Sequence, residues 1–188
     1  MSMPRFFLGY RLGAPLEKYR QNVRAHLVQE YNIRPIGGHT EAHVTVKSPF
    51  ELPVLEASRV PGRIATMLAR KAIKPLKAWL GPVSVFPQGV VHLPVQTPGS
   101  TDSDEIPAMM RYIISELGLK PTGYETLKPH MTLARVSPEH AGLACGCADA
   151  LPLPGREVSL DTLVWWRKSD EGTSEEAVID LTYSPMRA

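Results

Sequence analysis

The sequence has little of three features that often announce a function directly: cysteine, net charge and long apolar runs. Its two cysteines, Cys145 and Cys147, form Cys-Gly-Cys. This is not the Cys-x-x-Cys redox spacing, and two thiolates are too few for a structural zinc site. We therefore expect ordinary reduced cysteines. The formal net charge of +2 is too small to indicate a nucleic-acid or membrane-binding class by itself.

No segment is apolar over the length of about 20 residues that a membrane-spanning helix needs. The amino-terminal stretch, residues 1–11, also lacks the apolar run of a signal peptide. These absences predict a cytoplasmic protein. At 188 residues and 43% hydrophobic composition, the chain is long enough to bury a sizeable core. We predict one domain over residues 1–188, made of two intimately packed lobes.

The spacing of apolar residues and the placement of glycine and proline predict a chain that alternates strands and helices. The predicted strands lie at 5–12, 42–48, within 72–95, at 129–133, 157–167 and 176–183. The predicted helices lie at 15–31, 58–71, from about 102 to 118, and after Ser137. The order strand, helix, histidine-containing strand, helix, strands occurs twice. This predicts an α+β fold of two pseudo-symmetric lobes, each with an antiparallel sheet and flanking helices, and a cleft between them.

The clearest trace of duplication is a pair of short motifs, His43-Val-Thr45 and His130-Met-Thr132. Alternate side chains of a strand point to opposite faces. Each motif therefore presents an imidazole and a hydroxyl on one face and apolar residues on the other. A cleft between related lobes would bring the two motifs together.

Two histidines in one cleft favour acid and base chemistry. Histidine titrates near neutrality, so one imidazole can act as general base while the other acts as general acid. Threonine hydroxyls two positions along can donate hydrogen bonds to phosphate oxygens. Neither motif has a carboxylate at metal-ligand spacing, and we expect neither a metal nor another cofactor.

Taken singly, His43 or His130 is better explained as a structural histidine, since a lone His-x-Thr is a weak motif. Taken together in matched strands, the two motifs favour a functional site. His26, His39, His92 and His140 have no comparable motif. We assign them no role.

The paired motifs, the second inside Lys-Pro-His-Met-Thr-Leu-Ala-Arg, resemble those of the two-histidine (2H) phosphoesterase superfamily. The chain is similar in particular to the bacterial 2'-5' RNA ligase-like cyclic phosphodiesterases. The resemblance covers nearly the whole chain. It implies a bilobal fold and metal-independent hydrolysis of 2',3'-cyclic phosphate ends of RNA or nucleotides to a 2'-phosphate, with 2'-5' ligation as a possible reverse activity. It also implies that His43 and His130 are the acid/base pair and that Thr45 and Thr132 bind the phosphate.

Two cations and several aromatic residues are candidates for further contacts. Lys47 has the parity of His43, so a regular strand would direct it toward the phosphate. Arg135 has the opposite parity to His130 and needs a strand end or a bulge between Ala134 and itself to reach the same place. A solvated surface charge is the competing interpretation for both. Aromatic side chains often stack on bases, and the candidates are Tyr10, Phe50, Tyr124 and Trp166.

Three alternative functions remain open at this level. The same architecture could cleave a cyclic phosphate on a small metabolite. The chain could bind RNA ends without turnover, although intact His/Thr pairs argue against that. It could also be a scaffold with coincidental motifs, in which case the two histidines would lie far apart. The sequence indicates no membrane contact and no obligate protein partner, and it does not decide which histidine is the acid.

Overall fold

A computed structural model of the chain describes residues 3–37, 40–98, 105–120, 128–169 and 172–182. Within these residues lie nine strands: β1 (Arg5–Arg11), β2 (His43–Glu51), β3 (Leu76–Leu80), β4 (Ser84–Phe86), β5 (Val90–Gln96), β6 (His130–Arg135), β7 (Glu157–Leu160), β8 (Thr162–Ser169) and β9 (Gly172–Asp180). The same residues form five α-helices: α1 (Ala14–Tyr31), α2 (Val54–Ala57), α3 (Val60–Ala69), α4 (Glu105–Glu116) and α5 (Ala141–Ala150), and a 3-10 turn at Pro138–His140 precedes α5.

All strand pairs described here are antiparallel, and together they form one sheet of nine strands. The order is β7-β3-β5-β6-β2-β1-β8-β9, with β4 paired to β5. The predicted α+β class with antiparallel strands is confirmed. The two predicted sheets are the two ends of this single sheet, and they join where β2 pairs with β6.

Helices cover one face of the sheet and form the hydrophobic core with it. This core face carries alternate strand residues such as Leu8, Val44 and Met131, each fully buried in the main cluster. The opposite face of the sheet carries the His/Thr motifs, and we call it the open face. Helix α1 packs on β6 and α4 packs on β2. Helix α1 follows β1 but covers β6 in the other half of the sheet, and α4 follows β5 but covers β2. Each half of the sheet is therefore covered by a helix that follows a strand of the other half.

Two element predictions need correction. The strand predicted at 157–167 is two strands, β7 and β8, divided at Asp161. They separate because β7 pairs with β3 at one end of the sheet, whereas β8 pairs with β1 in the other half. The helix predicted at 58–71 is α3, at Val60–Ala69, which has Pro61 in its first turn. The short helix α2, at Val54–Ala57, precedes it and was not predicted, and Ser58 and Arg59 separate the two helices.

Candidate active site

The structure brings the two motifs together on neighbouring strands of the sheet. β2 and β6 are antiparallel, with the Cα of Val44 opposite that of Met131. Extending this register by one residue each way places His43 opposite Thr132 and His130 opposite Thr45. All four side chains are partly exposed on the open face. The two histidines are thus diagonal neighbours, a relation that puts residues about 7–8 Å apart.

Each motif ends in a β-bulge at the same position. On β2, Thr45 and Lys47 pair with consecutive residues of β1, so Val46 between them is the extra residue. On β6, Thr132 and Ala134 pair with consecutive residues of β5, so Leu133 is the extra residue. A bulge reverses the alternation of side chains beyond it. The internal duplication is therefore visible in backbone detail.

The bulges turn the side chains of Lys47 and Arg135 to opposite faces of the sheet. Lys47 lies opposite Leu8, a core residue, and is itself fully buried. Its predicted direction toward the phosphate is wrong, because the bulge turns it to the core face. Ala134 and its partner Val91 belong to the core. Arg135, the next residue, consequently points to the open face and is exposed. Strand alternation required a strand end or a bulge between Ala134 and Arg135. The bulge that turns Arg135 to the open face lies one residue earlier, before Ala134.

Backbone carbonyls fix the orientation of both motif imidazoles. Nδ1 of His43 lies 2.7 Å from the carbonyl oxygen of Glu41, and Nδ1 of His130 lies 2.8 Å from that of Lys128. A carbonyl oxygen only accepts, so each Nδ1 must carry the hydrogen. In the neutral ring Nε2 is then the unprotonated nitrogen that remains for chemistry. Both histidines make this bond to the residue two positions before them.

Burial keeps both imidazoles from charging readily. It lowers the pKa of His130, although the hydrogen bond to Lys128 opposes the effect. It also lowers the pKa of His43, and the nearby Arg20 cation and protonated His130 lower that pKa further. A second positive charge is disfavoured where one is already present. Together, the two rings therefore favour holding one proton over two.

A buried aromatic stack supports His43 from one side. Phe7 and Trp166 are stacked, with ring centroids 4.8 Å apart. The His43 ring centroid lies 5.7 Å from that of Phe7 and 5.3 Å from that of Trp166. Gly9 makes room for them, because a Cβ there would lie 3.1 Å from Trp166 and 2.9 Å from the Val44 carbonyl oxygen. Any side chain at Gly9 would displace the Phe7–Trp166 stack.

A second stack stands beside His130 and includes a histidine to which the sequence motifs assign no role. Phe86 and His92 are stacked, with ring centroids 3.8 Å apart. The His130 ring stands on edge to both, at 5.0 Å from Phe86 and 5.3 Å from His92. The alternation of His92 with the apolar Val91 and Leu93 indicates its face. The pairing of β5 with β6, which brings it to the motif, leaves no local signal in the sequence.

Ion pairs hold the turn that leads into His43. Arg11 binds the Glu41 carboxylate at 2.5 Å and also pairs with Glu175 on β9. Glu17 on α1 accepts a hydrogen bond from the Ala42 backbone amide at 2.7 Å. Because the Glu41 carbonyl orients the His43 ring, these contacts position the imidazole through its backbone.

Among the described residues, the remaining candidates offer no exposed ring beside the two motifs. Tyr10 is fully buried on the core face, and Phe50 packs on Trp165. Trp166 lies on the open face, but it is only 2% exposed, so it supports His43 instead of offering a free ring. His26 packs on Tyr31 and His140 bonds Ser137 Oγ. His39 and Tyr124 lie outside the described residues.

Metal-binding clusters and membrane-spanning helices are both missing from the described residues. Within them, we find no cluster of three or more histidine, cysteine, aspartate or glutamate side chains arranged to hold a metal ion. Across the described parts of the chain, none of the helices is long and apolar enough to span a membrane.

Comparison with known proteins gives one family and one fold. The model of the 2'-5' RNA ligase superfamily matches residues 9–172. The crystal structure of Escherichia coli LigT complexed with 3'-AMP is 15% identical and has a TM-score of 0.60, covering 97% of this chain and 100% of that one. The same protein complexed with phosphate gives a TM-score of 0.59 at 15% identity, with the same coverage of both chains. TT0787 of Thermus thermophilus is 18% identical with a TM-score of 0.59, covering 94% of this chain and 97% of that one. A search of curated proteins found no match.

Proposed function

The chain belongs to the 2'-5' RNA ligase superfamily, and from that premise we propose that it hydrolyses 2',3'-cyclic phosphates at RNA or nucleotide ends to 2'-phosphates without a metal. The family supports a phosphoesterase or ligase type of activity. The cyclic phosphate as substrate is our proposal.

The observation that carries the proposal is the matched presentation of two imidazoles. His43 and His130 lie diagonally on β2 and β6, and each has its Nδ1 bound to a carbonyl. Both Nε2 atoms therefore remain for proton transfer to and from a phosphate bound between the two strands. In-line attack on a phosphodiester needs one group on the entering oxygen and another on the leaving oxygen.

The reaction balances with one proton on the pair. One neutral Nε2 accepts a proton from water as the water oxygen forms its bond to phosphorus. The bond between phosphorus and O3' breaks, and the imidazolium on the other side gives its proton to O3'. The product is a 2'-phosphate with a free 3'-hydroxyl, and the pair again holds one proton in total. The two histidines exchange protonation states, which solvent restores.

The hydroxyls and one cation supply electrostatic support. Thr132 lies opposite His43 and Thr45 lies opposite His130, so in each row of the sheet a hydroxyl stands across from an imidazole. Each hydroxyl can donate to a non-bridging phosphate oxygen as negative charge develops there. Arg135, exposed on the same face beyond Thr132, adds a positive charge toward the substrate side. The LigT complexes with 3'-AMP and with phosphate support a nucleotide phosphate as the class of ligand.

The experiment is hydrolysis of 2',3'-cyclic mononucleotides and of a short RNA with a cyclic phosphate end, in EDTA. We expect the 2'-phosphate as product. His43→Ala and His130→Ala should each lower kcat by about 10²–10⁴-fold, as expected for removal of a general acid or base. His26→Ala is the matched control because His26 lies on α1 against Tyr31, and it should retain the rate.

Two outcomes would redirect the proposal. Full activity in either motif variant would remove that histidine from the mechanism. Tight binding of the RNA end without product would instead indicate a binding module. If cyclic nucleotides are inert but another cyclic phosphate on a small metabolite is opened, the substrate class in the proposal is wrong while the paired chemistry stands.

A further inference from the structure

A third imidazole lies on the open face next to the second motif. The Cα of His92 on β5 is paired with that of Thr132 on β6, so the two side chains share a face. His92 is a diagonal neighbour of His130, with ring centroids 5.3 Å apart. It is only 5% exposed. A buried histidine beside a motif histidine needs a reason, because a charged form there is costly.

His92 is oriented in the same way as the two motif histidines. Its Nδ1 lies 3.2 Å from the carbonyl oxygen of Val90, again two residues before it. That nitrogen therefore donates, and Nε2 is the atom that can gain a proton. The ring lies flat on Phe86, with an interplanar angle of 14°. The His130 ring lies beside this stack, at 5.0 Å from Phe86 and 5.3 Å from His92 and nearly perpendicular to both.

Few other charges face this group of rings from the described strands around it. From β4, the residue opposite His92 is Ser84, and Phe86 is the stacking partner. Within β6 the other charged side chain on the open face is Arg135, and on β2 the neighbouring titratable group is His43. Burial lowers the pKa of His92, and protonated His130 lowers that pKa further. A protonated His130 therefore opposes the charging of His92.

We propose that His92 is a positioning residue for His130: its ring, stacked on Phe86, supports the His130 imidazole from the side, and it stays neutral while His130 carries the proton. This deepens the proposed function and rests on it, since it names a third group that acts on the acid/base pair. Among the described residues, the first motif has no such partner. Gly9 occupies the corresponding place beside Thr45, and His43 leans on Phe7 and Trp166, which do not titrate.

The asymmetry gives the two motif histidines different surroundings. His43 lies against an uncharged stack, whereas His130 lies beside a stack that includes a titratable ring. While His130 is protonated, His92 is held in its neutral form and its stack acts as a support. The pair of rings thus resists a second proton on this side of the site.

The test is an NMR titration of the histidine rings in wild type and His130→Gln, with the His92 signal assigned by its loss in His92→Phe. The glutamine removes the charge beside His92. We expect the titration midpoint of His92 to rise by about 0.5 pH unit or more in His130→Gln, because that is what the loss of one unit charge about 5 Å away produces even through water. His26→Phe replaces another ring-packed histidine and should leave the His92 midpoint unchanged. An unchanged His92 midpoint in His130→Gln would overturn the proposal.

Two further measurements keep the test decisive. If His130→Gln does not fold, the wild-type curves of His92 and His130 decide, because coupled rings titrate with slopes below those of independent groups; independent curves would contradict the coupling. In an active enzyme, the limb of the pH–kcat/KM profile that belongs to His130 should coincide with the His130 NMR midpoint of the wild type. If no cyclic phosphate is hydrolysed but the midpoint still shifts, the proposed function fails and the coupling stands.

Discussion

At the scale of single residues, the site depends on which nitrogen each imidazole presents. His43 and His130 reach the same state by the same local means, a hydrogen bond from Nδ1 to the carbonyl two residues earlier. Motif spacing alone predicts which face the rings occupy. It does not predict the tautomer, which depends on the path of the backbone before each strand. Glu41 and Lys128 contribute here through their carbonyls, so their side-chain type carries no signal of that role.

Burial gives the pair a distinctive pH dependence. The pKa of each motif histidine is lowered from its ordinary value of 6.5, because the charged form loses solvation. Catalysis needs one ring protonated and one neutral, so free enzyme is active between the two apparent pKa values of the pair. Both lie on the acid side of 6.5. We therefore expect a bell-shaped profile of kcat/KM with its maximum below pH 6.5.

The check is kcat/KM for a 2',3'-cyclic nucleotide between pH 4.5 and 9. The rate should fall on the alkaline side as the remaining proton is lost, and on the acid side as the base is protonated. A flat profile over this range, with chemistry shown to limit the rate, would count against acid/base catalysis by the pair.

At the scale of elements, the two β-bulges determine the direction of the side chains after each motif. Strand alternation predicts that Lys47 faces the site and Arg135 does not, and the structure shows the reverse. A bulge inserts one residue, and neither motif contains a glycine or another local marker of it. The strands and most helices are predictable from apolar spacing, since that spacing reflects burial on one face. Bulges and the division of 157–167 depend on partners far away in the chain.

The bulges predict different effects for the two cations. Arg135→Gln should raise KM for a cyclic nucleotide by about tenfold, the usual scale for a lost charge-assisted contact to phosphate, with little change in the melting temperature. Lys47→Gln should instead lower the melting temperature, because Lys47 is buried on the core face over Phe50.

Steady-state kinetics and thermal melts on both variants test this pair. The reverse pattern, with KM raised only by Lys47→Gln, would mean that the regular-strand alternation holds and that the bulges do not reorient these residues in solution.

At the scale of the whole molecule, the site exists because two halves of one sheet meet at β2 and β6. The duplicated order of elements predicts two lobes, and the shared α+β fold is confirmed. The exchange of helices across the halves, α1 on β6 and α4 on β2, was not predictable from their amphipathic spacing. That spacing shows that a helix has a buried face, but it does not identify the sheet that covers it. The exchange ties the halves together and so holds His43 opposite Thr132.

The central claim is that His43 and His130, one from each half, act as a single unit on a phosphate. The most direct measurement is a double-variant comparison of kcat for a 2',3'-cyclic nucleotide in EDTA, using His43→Ala, His130→Ala and both together. If the pair is one catalytic unit, each single variant loses about 10²–10⁴-fold, and the double variant is no slower than the slower of the two. Losses that multiply in the double variant would show two independent groups and contradict the account.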